Sequence, residues 1–193
     1  TAGPLAGTPW PTSARLHVTF KSPLTGAYGY ANSGGFFAAE MRHAGYDAII
    51  VTGRAPEPSV LRIEDETIMV EPAPELWGGT TAEVHDVLLG PEPKARDGRV
   101  ACIGAAGENL VRIAAIMNDV SRAAARGGPG AVMGSKRLKA IHPDPFTRIT
   151  EEAFEAAAER VYTLERALCV RHWGRDRSPP LAPGSERTRG WRP

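Results

Sequence analysis

The 193-residue sequence carries little of what usually announces chemistry or compartment. It has two cysteines, Cys102 and Cys169, too few and too far apart for a disulfide framework or a metal knuckle. Its formal net charge is +1, which gives no reason to expect nucleic acid or an anionic membrane as a partner. No run is long and apolar enough to cross a bilayer, and no signal-peptide pattern is present, so a cytoplasmic, reducing setting is the default expectation. Nucleotide motifs fail as well. The segment GPGAVMGSK ends Gly134-Ser135-Lys136, not the Gly-Lys-Ser/Thr of a P-loop, and no G-x-G-x-x-G opens a helix in a βαβ setting. H-E-x-x-H, Ser-His-Asp and Cys/His constellations are absent from the sequence, leaving no obvious nucleophile or metal cluster.

What the sequence does have is glycine and proline, 21 and 17 residues, distributed as punctuation between short apolar runs. The composition, 42% hydrophobic and 23% charged, suits one globular domain with a real core. Residues 15–20 (RLHVTF) alternate and predict a strand. Residues 21–35 read as turn-rich, and 36–44 (FFAAEMRHA) as a short helix ended by Gly45. The run 47–52 (DAIIVT) predicts a buried strand, and VLRIEDETIMV a hairpin. Thr80 with Glu83 predicts a capped helix through Leu89. Residues 99–103 and 111–117 are two more strand candidates, as is 138–141. Strands and helices do not alternate regularly, so the expected class is α+β.

Two further features bear on organisation. SGGFFAAEMRHAGYDAII and RGGPGAVMGSKRLKAIH echo each other faintly, each preceded by a short glycine-bounded turn, GPLAG and IGAAG; a mostly-β domain of two related halves would produce this. The expected layout is therefore a domain over 1–148, the start of a helical domain over 149–168 capped by Thr150, and a tail over 169–193. That tail, rich in Arg, Pro and Ser, is expected to be disordered or an artefact of truncation. The chain also starts at Thr1 inside a Gly/Pro run, as if entered midway.

The candidate chemistry lies in the glycine-rich turns GPLAG, KSPLTG, ANSGG, IGAAGEN and RAAARGGPGAVMGSK, which are accompanied by Arg, Lys and Asn. Glycine lets backbone N–H groups approach an anion closely, and arginine adds a planar fork for phosphate. Several such turns together suit a large, polar, phosphate-bearing cofactor. Each residue also has a plainer reading: Arg15, Arg122 and Arg126 as solvated charges, Asn32 as a left-handed turn residue, His17 and His43 as surface polar groups, Cys102 as a small buried hydrophobe.

The runs GPLAGTP, KSPLTG, ANSGGFFAAEMRHAGYDAIIV, IGAAGENLVRIAAIMND and RGGPGAVMGSKRLKAI, with LWGGTTAEV between them, resemble in order the N-terminal domain of the aldehyde:ferredoxin oxidoreductase family, from Gly3 to about Ile141. The resemblance implies a base for a tungsten (or molybdenum) bis-molybdopterin. It places Arg15 between the pterin and a [4Fe–4S] cluster whose ligands lie outside this chain. It implies that Asn32 and Ala123 offer backbone carbonyls to a magnesium ion bridging the pterin phosphates. Ser33, Gly34, Arg122, Ala125 and Arg126 would contact those phosphates.

The parent protein would then oxidise an aldehyde to a carboxylic acid and pass electrons to ferredoxin, with C-terminal domains supplying the metal surroundings and a homodimer possible. The fragment alone would be inactive. The alternative is a stand-alone, non-catalytic module that binds pterin or phosphate. Ala125 departs from the family's usual glycine, Gly104-Ala105-Ala106-Gly107 from its usual Gly-Pro-Ala-Gly, and Pro129 sits where another small residue is common. At Ala125 the departure would be costly if that site required a positive φ.

Overall fold

In the computed structural model, which describes residues 1–8, 10–64, 67–90 and 98–144, the expected first strand is Leu16–Lys21 (β1). It pairs antiparallel with Tyr28–Ser33 (β2), from Leu16↔Ser33 to Lys21↔Tyr28. The sequence hid β2 behind its glycine. A Cβ at Gly29 would lie 2.8 Å from the Phe20 ring across the ladder, so glycine here makes room for a cross-strand aromatic and does not mark a turn. Phe37–His43 (α1) follows, and Gly45, at φ +90°, lets the chain leave it.

The run 47–52 corrects the expectation of a buried strand. It forms no ladder, and Ile50 is 86% exposed. Ala2 donates its N–H to the Asp47 carbonyl, but no strand among the described residues continues that contact. Apolar, β-prone composition does not make a strand without a partner edge.

The hairpin over 59–72 forms as expected, Ser59–Glu64 (β3) with Thr67–Pro72 (β4). After a 3-10 turn at Pro74–Leu76 comes Thr81–Leu89 (α2). Thr80 and Glu83 cap it reciprocally: the Glu83 N–H donates to Thr80 Oγ1, and the Thr80 N–H to Glu83 Oε2 at 2.7 Å. The remaining elements are Ala101–Cys102 (β5), Ala105–Glu108 (α3), Ile116–Asn118 (β6), Arg122–Ala124 (β7), Pro129–Ser135 (α4) and Leu138–Pro143 (β8). Residues 111–115, expected to start a strand, are irregular. The stretch 129–135, expected to be part of a glycine-rich turn region, is helical.

The strands β3 to β8 form one six-stranded mixed sheet, ordered β4-β3-β8-β5-β6-β7, beside the two-stranded β1-β2. Its faces separate cleanly along β5. Val100 and Cys102 join Val60, Leu76 and Val84 in one apolar cluster, while Ala101 and Ile103 join Leu16, Phe37 and Met133 in the other. The architecture is α+β. The sequence echo has a structural counterpart, for β1-β2 leads through a Gly-Gly pair to α1 as β6-β7 leads through a Gly-Gly pair to α4. The described residues fall within one unit, Thr1–Ile149; the boundary at 148, the helix capped by Thr150 and the tail from 169 lie outside them.

A candidate anion cradle where two hairpins meet

The two hairpins bring their outer strands, β2 and β7, against one another. Hydrogen-bond parity decides what those strands present. In an antiparallel ladder the N–H and C=O of one residue point to the same side, and successive residues alternate sides. His17 exchanges both its bonds with Thr1, at 2.9 and 2.8 Å, so it makes none with its β2 partner, Asn32. The Asn32 N–H and C=O therefore point away from β1.

The same parity runs through the large sheet. Arg99 and Ile103 donate to Pro143 and Lys139 of β8, so Cys102 faces β6 and bonds its partner Met117. Met117 is then not bonded to Ala123, and the Ala123 carbonyl points outward from the edge strand β7. Both residues singled out as carbonyl donors thus face off their own hairpins.

Around them the charge is positive and open: Arg15, Asn32, Arg122, Ala123, Ala125 and Arg126 are all exposed. A Cβ built on Gly34 would meet nothing within 4 Å, so this turn borders open space. Asn32 lies in β2 and not in a left-handed turn, and its Oδ1 sits 2.6 Å from His17 Nδ1. Tyr30 stacks on His17 at 5.8 Å between ring centroids. Ala125 does not adopt a positive φ; the left-handed positions of its loop are Gly127 and Gly128. Its departure from glycine therefore carries no backbone penalty.

Ser33 differs from the others. Its side chain is buried, and its hydroxyl donates to Asn118 Oδ1 at 2.7 Å. It braces the turn from within and does not offer that hydroxyl to solvent.

Two of the glycine-rich turns belong elsewhere. A Cβ on Gly134 would overlap the Gly107 carbonyl, and one on Gly130 the Ala115 carbonyl. A Cβ on Gly107 would in turn lie 2.8 Å from Ile103 Cβ and 3.0 Å from the Gly130 carbonyl. IGAAGEN and GGPGAVMGSK are therefore packing sequences that let α3 and α4 touch backbone to backbone. Beneath them the Lys139 ammonium, fully buried, pairs with Glu108, whose side chain is 5% exposed. Lys139 also donates to the Gly79 carbonyl at 2.8 Å. Cys102 is buried too, and burial pushes its thiol up to about 12, so it is no nucleophile.

Sequence reasoning passed over the residues that join the hairpins. Asn118, between β6 and its turn, donates through Nδ2 to the Gly34 carbonyl at 3.0 Å. Asp119 accepts the Phe36 N–H at 2.5 Å. The Asn-Asp pair after an apolar run was a turn signal, but nothing local indicated its partners.

Comparison with known proteins gives the family. Residues 1–144 match the family described as "Aldehyde ferredoxin oxidoreductase, N-terminal domain". The chain belongs to that family. It is 54% identical over 140 residues to the tungsten-containing aldehyde ferredoxin oxidoreductase of Pyrococcus furiosus, which covers 72% of this chain and 23% of that protein. It is 34% identical over 150 residues to the aliphatic sulfonate oxidoreductase, WOR-like subunit, of the same organism, covering 72% and 24%. Among solved structures it resembles the active-site complex BamBC of benzoyl coenzyme A reductase, with a TM-score of 0.67 and 36% identity over 86% of this chain and 26% of that one. The chain thus spans about a quarter of the length of these aldehyde ferredoxin oxidoreductase relatives.

Proposed function

We propose that this chain is the part of a larger oxidoreductase that seats a tungsten bis-pterin by its phosphates. The observation that carries the reading is the pair of outward-facing carbonyls, Asn32 and Ala123, on adjoining edge strands flanked by Arg15, Arg122 and Arg126. The donor set fits. A hard cation such as magnesium takes oxygen ligands and keeps phosphates and water around it, and two main-chain oxygens among arginines offer that without a carboxylate cluster. The arginine forks would hold phosphate oxygens. Open space at Gly34 admits a phosphate close to the backbone.

When bound, the cofactor supplies the redox chemistry; this chain's residues bind and orient it. In the whole protein we assign oxidation of an aldehyde to a carboxylic acid, with electrons leaving through a [4Fe–4S] cluster to ferredoxin. The cluster ligands and the substrate pocket belong to domains beyond this chain. The relatives' names favour this division of labour, since one domain type serves an aldehyde, a sulfonate and a coenzyme A thioester enzyme. A base shared across such different substrates holds what they have in common.

The test is the full-length protein produced with tungstate, analysed for tungsten and pterin and assayed with aldehyde and ferredoxin. Arg122→Ala should lower pterin content at least several-fold, and unchanged content would remove Arg122 from the cradle. A full-length protein that holds neither metal nor pterin would sink the reading. If this chain alone bound pterin phosphate tightly, with no further coding sequence in frame, the stand-alone module would replace it.

A further inference from the structure

The turn between β6 and β7 is built at a conformational cost. Asp119 and Val120 both adopt positive φ, 46° and 59°, a region where Gly, Asn and Asp are ordinarily found. A β-branched residue there is a real outlier, and such strain persists only where surrounding contacts over-determine it. Here they do. The Val120 N–H donates to Nε2 of buried His85 at 3.2 Å, while Nδ1 of that ring lies 2.7 Å from the Thr81 carbonyl of α2.

The strained turn aims its polar side chains at the other hairpin. Asn118, 1% exposed, takes the Ser33 hydroxyl and holds the Gly34 carbonyl. The Asp119 carboxylate takes the Phe36 N–H and lies 3.7 Å from Arg99 Nε. Arg99 covers the Phe36 ring at 5.3 Å. Gly35 has φ +97°, and a Cβ there would also overlap that carboxylate, so glycine suits both its backbone and the reach of Asp119.

We propose that Asn118 and Asp119 are positioning residues that fix the spacing between the Asn32 and Ala123 carbonyls, so that one cation can bridge the two hairpins. Neither need touch the ligand; they act through Ser33, Gly34 and Phe36. The inference rests on the cradle reading above, and it predicts a specific coupling. Phosphate alone can sit on one hairpin's arginines, but a magnesium ion held by both carbonyls needs the hairpins in register.

The experiment uses the 193-residue chain titrated with inorganic phosphate, with and without magnesium. It compares the wild type with Asp119→Ala and Asp119→Asn, well below their melting temperatures. Hydrogen exchange of the Phe36 amide is followed in parallel. In the wild type magnesium should tighten phosphate binding. Asp119→Ala should lose that gain tenfold or more and exchange Phe36 faster, while phosphate affinity without magnesium holds within about twofold. Asp119→Asn, whose amide oxygen still accepts the Phe36 N–H, should recover most of both.

A general loosening would weaken binding equally with and without magnesium, and that result would overturn the proposal. Retention of both the magnesium gain and slow Phe36 exchange in Asp119→Ala would overturn it as well. If the wild type binds no phosphate at all, the cradle reading fails by itself. The clamp is then judged on Phe36 exchange in the two Asp119 variants, and equal exchange in both overturns it. Should Asp119→Ala not fold, Asn118→Asp, which keeps an acceptor for Ser33 but loses the donor to Gly34, must show the same selective loss of the magnesium gain.

Discussion

Two glycine-rich regions of this chain look alike in sequence and do opposite things. At Gly34 an added Cβ meets nothing, whereas at Gly107, Gly130 and Gly134 it runs into backbone. The first region is open, as the proposed phosphate contact requires; the second is closed because α3 and α4 meet there. Both satisfy the same verbal rule, that glycine permits close approach. Only the identity of the approaching group separates them. Empty space does not by itself mark a cofactor site, since Gly3, Gly26 and Gly45 are equally open; at Gly34 it is joined by outward-facing carbonyls and arginines.

The comparison is tested hardest beneath the closed region. Lys139 and Glu108 are buried together, with Gly78 also donating its N–H to the Glu108 carboxylate at 2.9 Å. Lys139→Met would leave that carboxylate buried without its counter-charge. Removing one partner of a buried pair costs about 3–5 kcal/mol. Urea unfolding should show a loss of that order. A loss under 1 kcal/mol would mean the floor of the closed region yields easily and the contrast with Gly34 is overstated.

Gly134→Ala comes next. The new methyl group would meet the Gly107 carbonyl, a backbone group, with no flexible side chain to yield. Overpacking of this kind costs roughly 1–3 kcal/mol, measurable as a lowered urea midpoint at unchanged slope. A neutral result would mean that α3 and α4 separate easily to admit a methyl group.

How much of this was legible beforehand follows the same division. The β3-β4 hairpin, the Thr80–Glu83 cap and the glycine after α1 were readable because their causes lie within a few residues. The strand β2 was not, since Gly29 answers to the Phe20 ring across the ladder. Nor was α4, whose glycines disfavour a helix until α3 packs against it. Residues 47–52 were misread because strand propensity says nothing of a missing neighbour. At the cradle, the resemblance pointed to Asn32, Arg122 and Ala123. Asn118 and Asp119 escaped because their partners lie 84 and 83 residues away.

Cys102 tests the other face of the sheet, beneath α2, through pH. Its thiol is raised from 9.0 to about 12, mainly by burial, with Lys139 pulling the other way. A raised thiol favours the neutral form in the fold. Its contribution to stability is complete below the ordinary thiol range and lost as pH climbs from about 9 towards 12. Stability should therefore fall across that window in the wild type and less in Cys102→Ala, compared by urea midpoints. At pH 8 the folded chain's Cys102 should resist alkylation that urea makes rapid. Rapid alkylation without urea would show that this side of the sheet opens readily.

The smallest effect on the fold is expected on the open side, at Gly34→Ala. Gly34 does not have a positive φ, and its added methyl group meets no neighbour. Neither strain nor overlap opposes it, so the urea midpoint should correspond to a change within about 0.5 kcal/mol, as for surface substitutions generally. Phosphate binding in the presence of magnesium should nonetheless weaken several-fold, because the methyl group occupies the space a phosphate oxygen would use. Gly34→Ala and Gly134→Ala thus form a crossed pair, one sparing the fold and harming the ligand, the other the reverse. If Gly34→Ala left phosphate affinity untouched, the open space there would be ordinary solvent, and the anion would have to be held by Arg15, Arg122 and Arg126 alone.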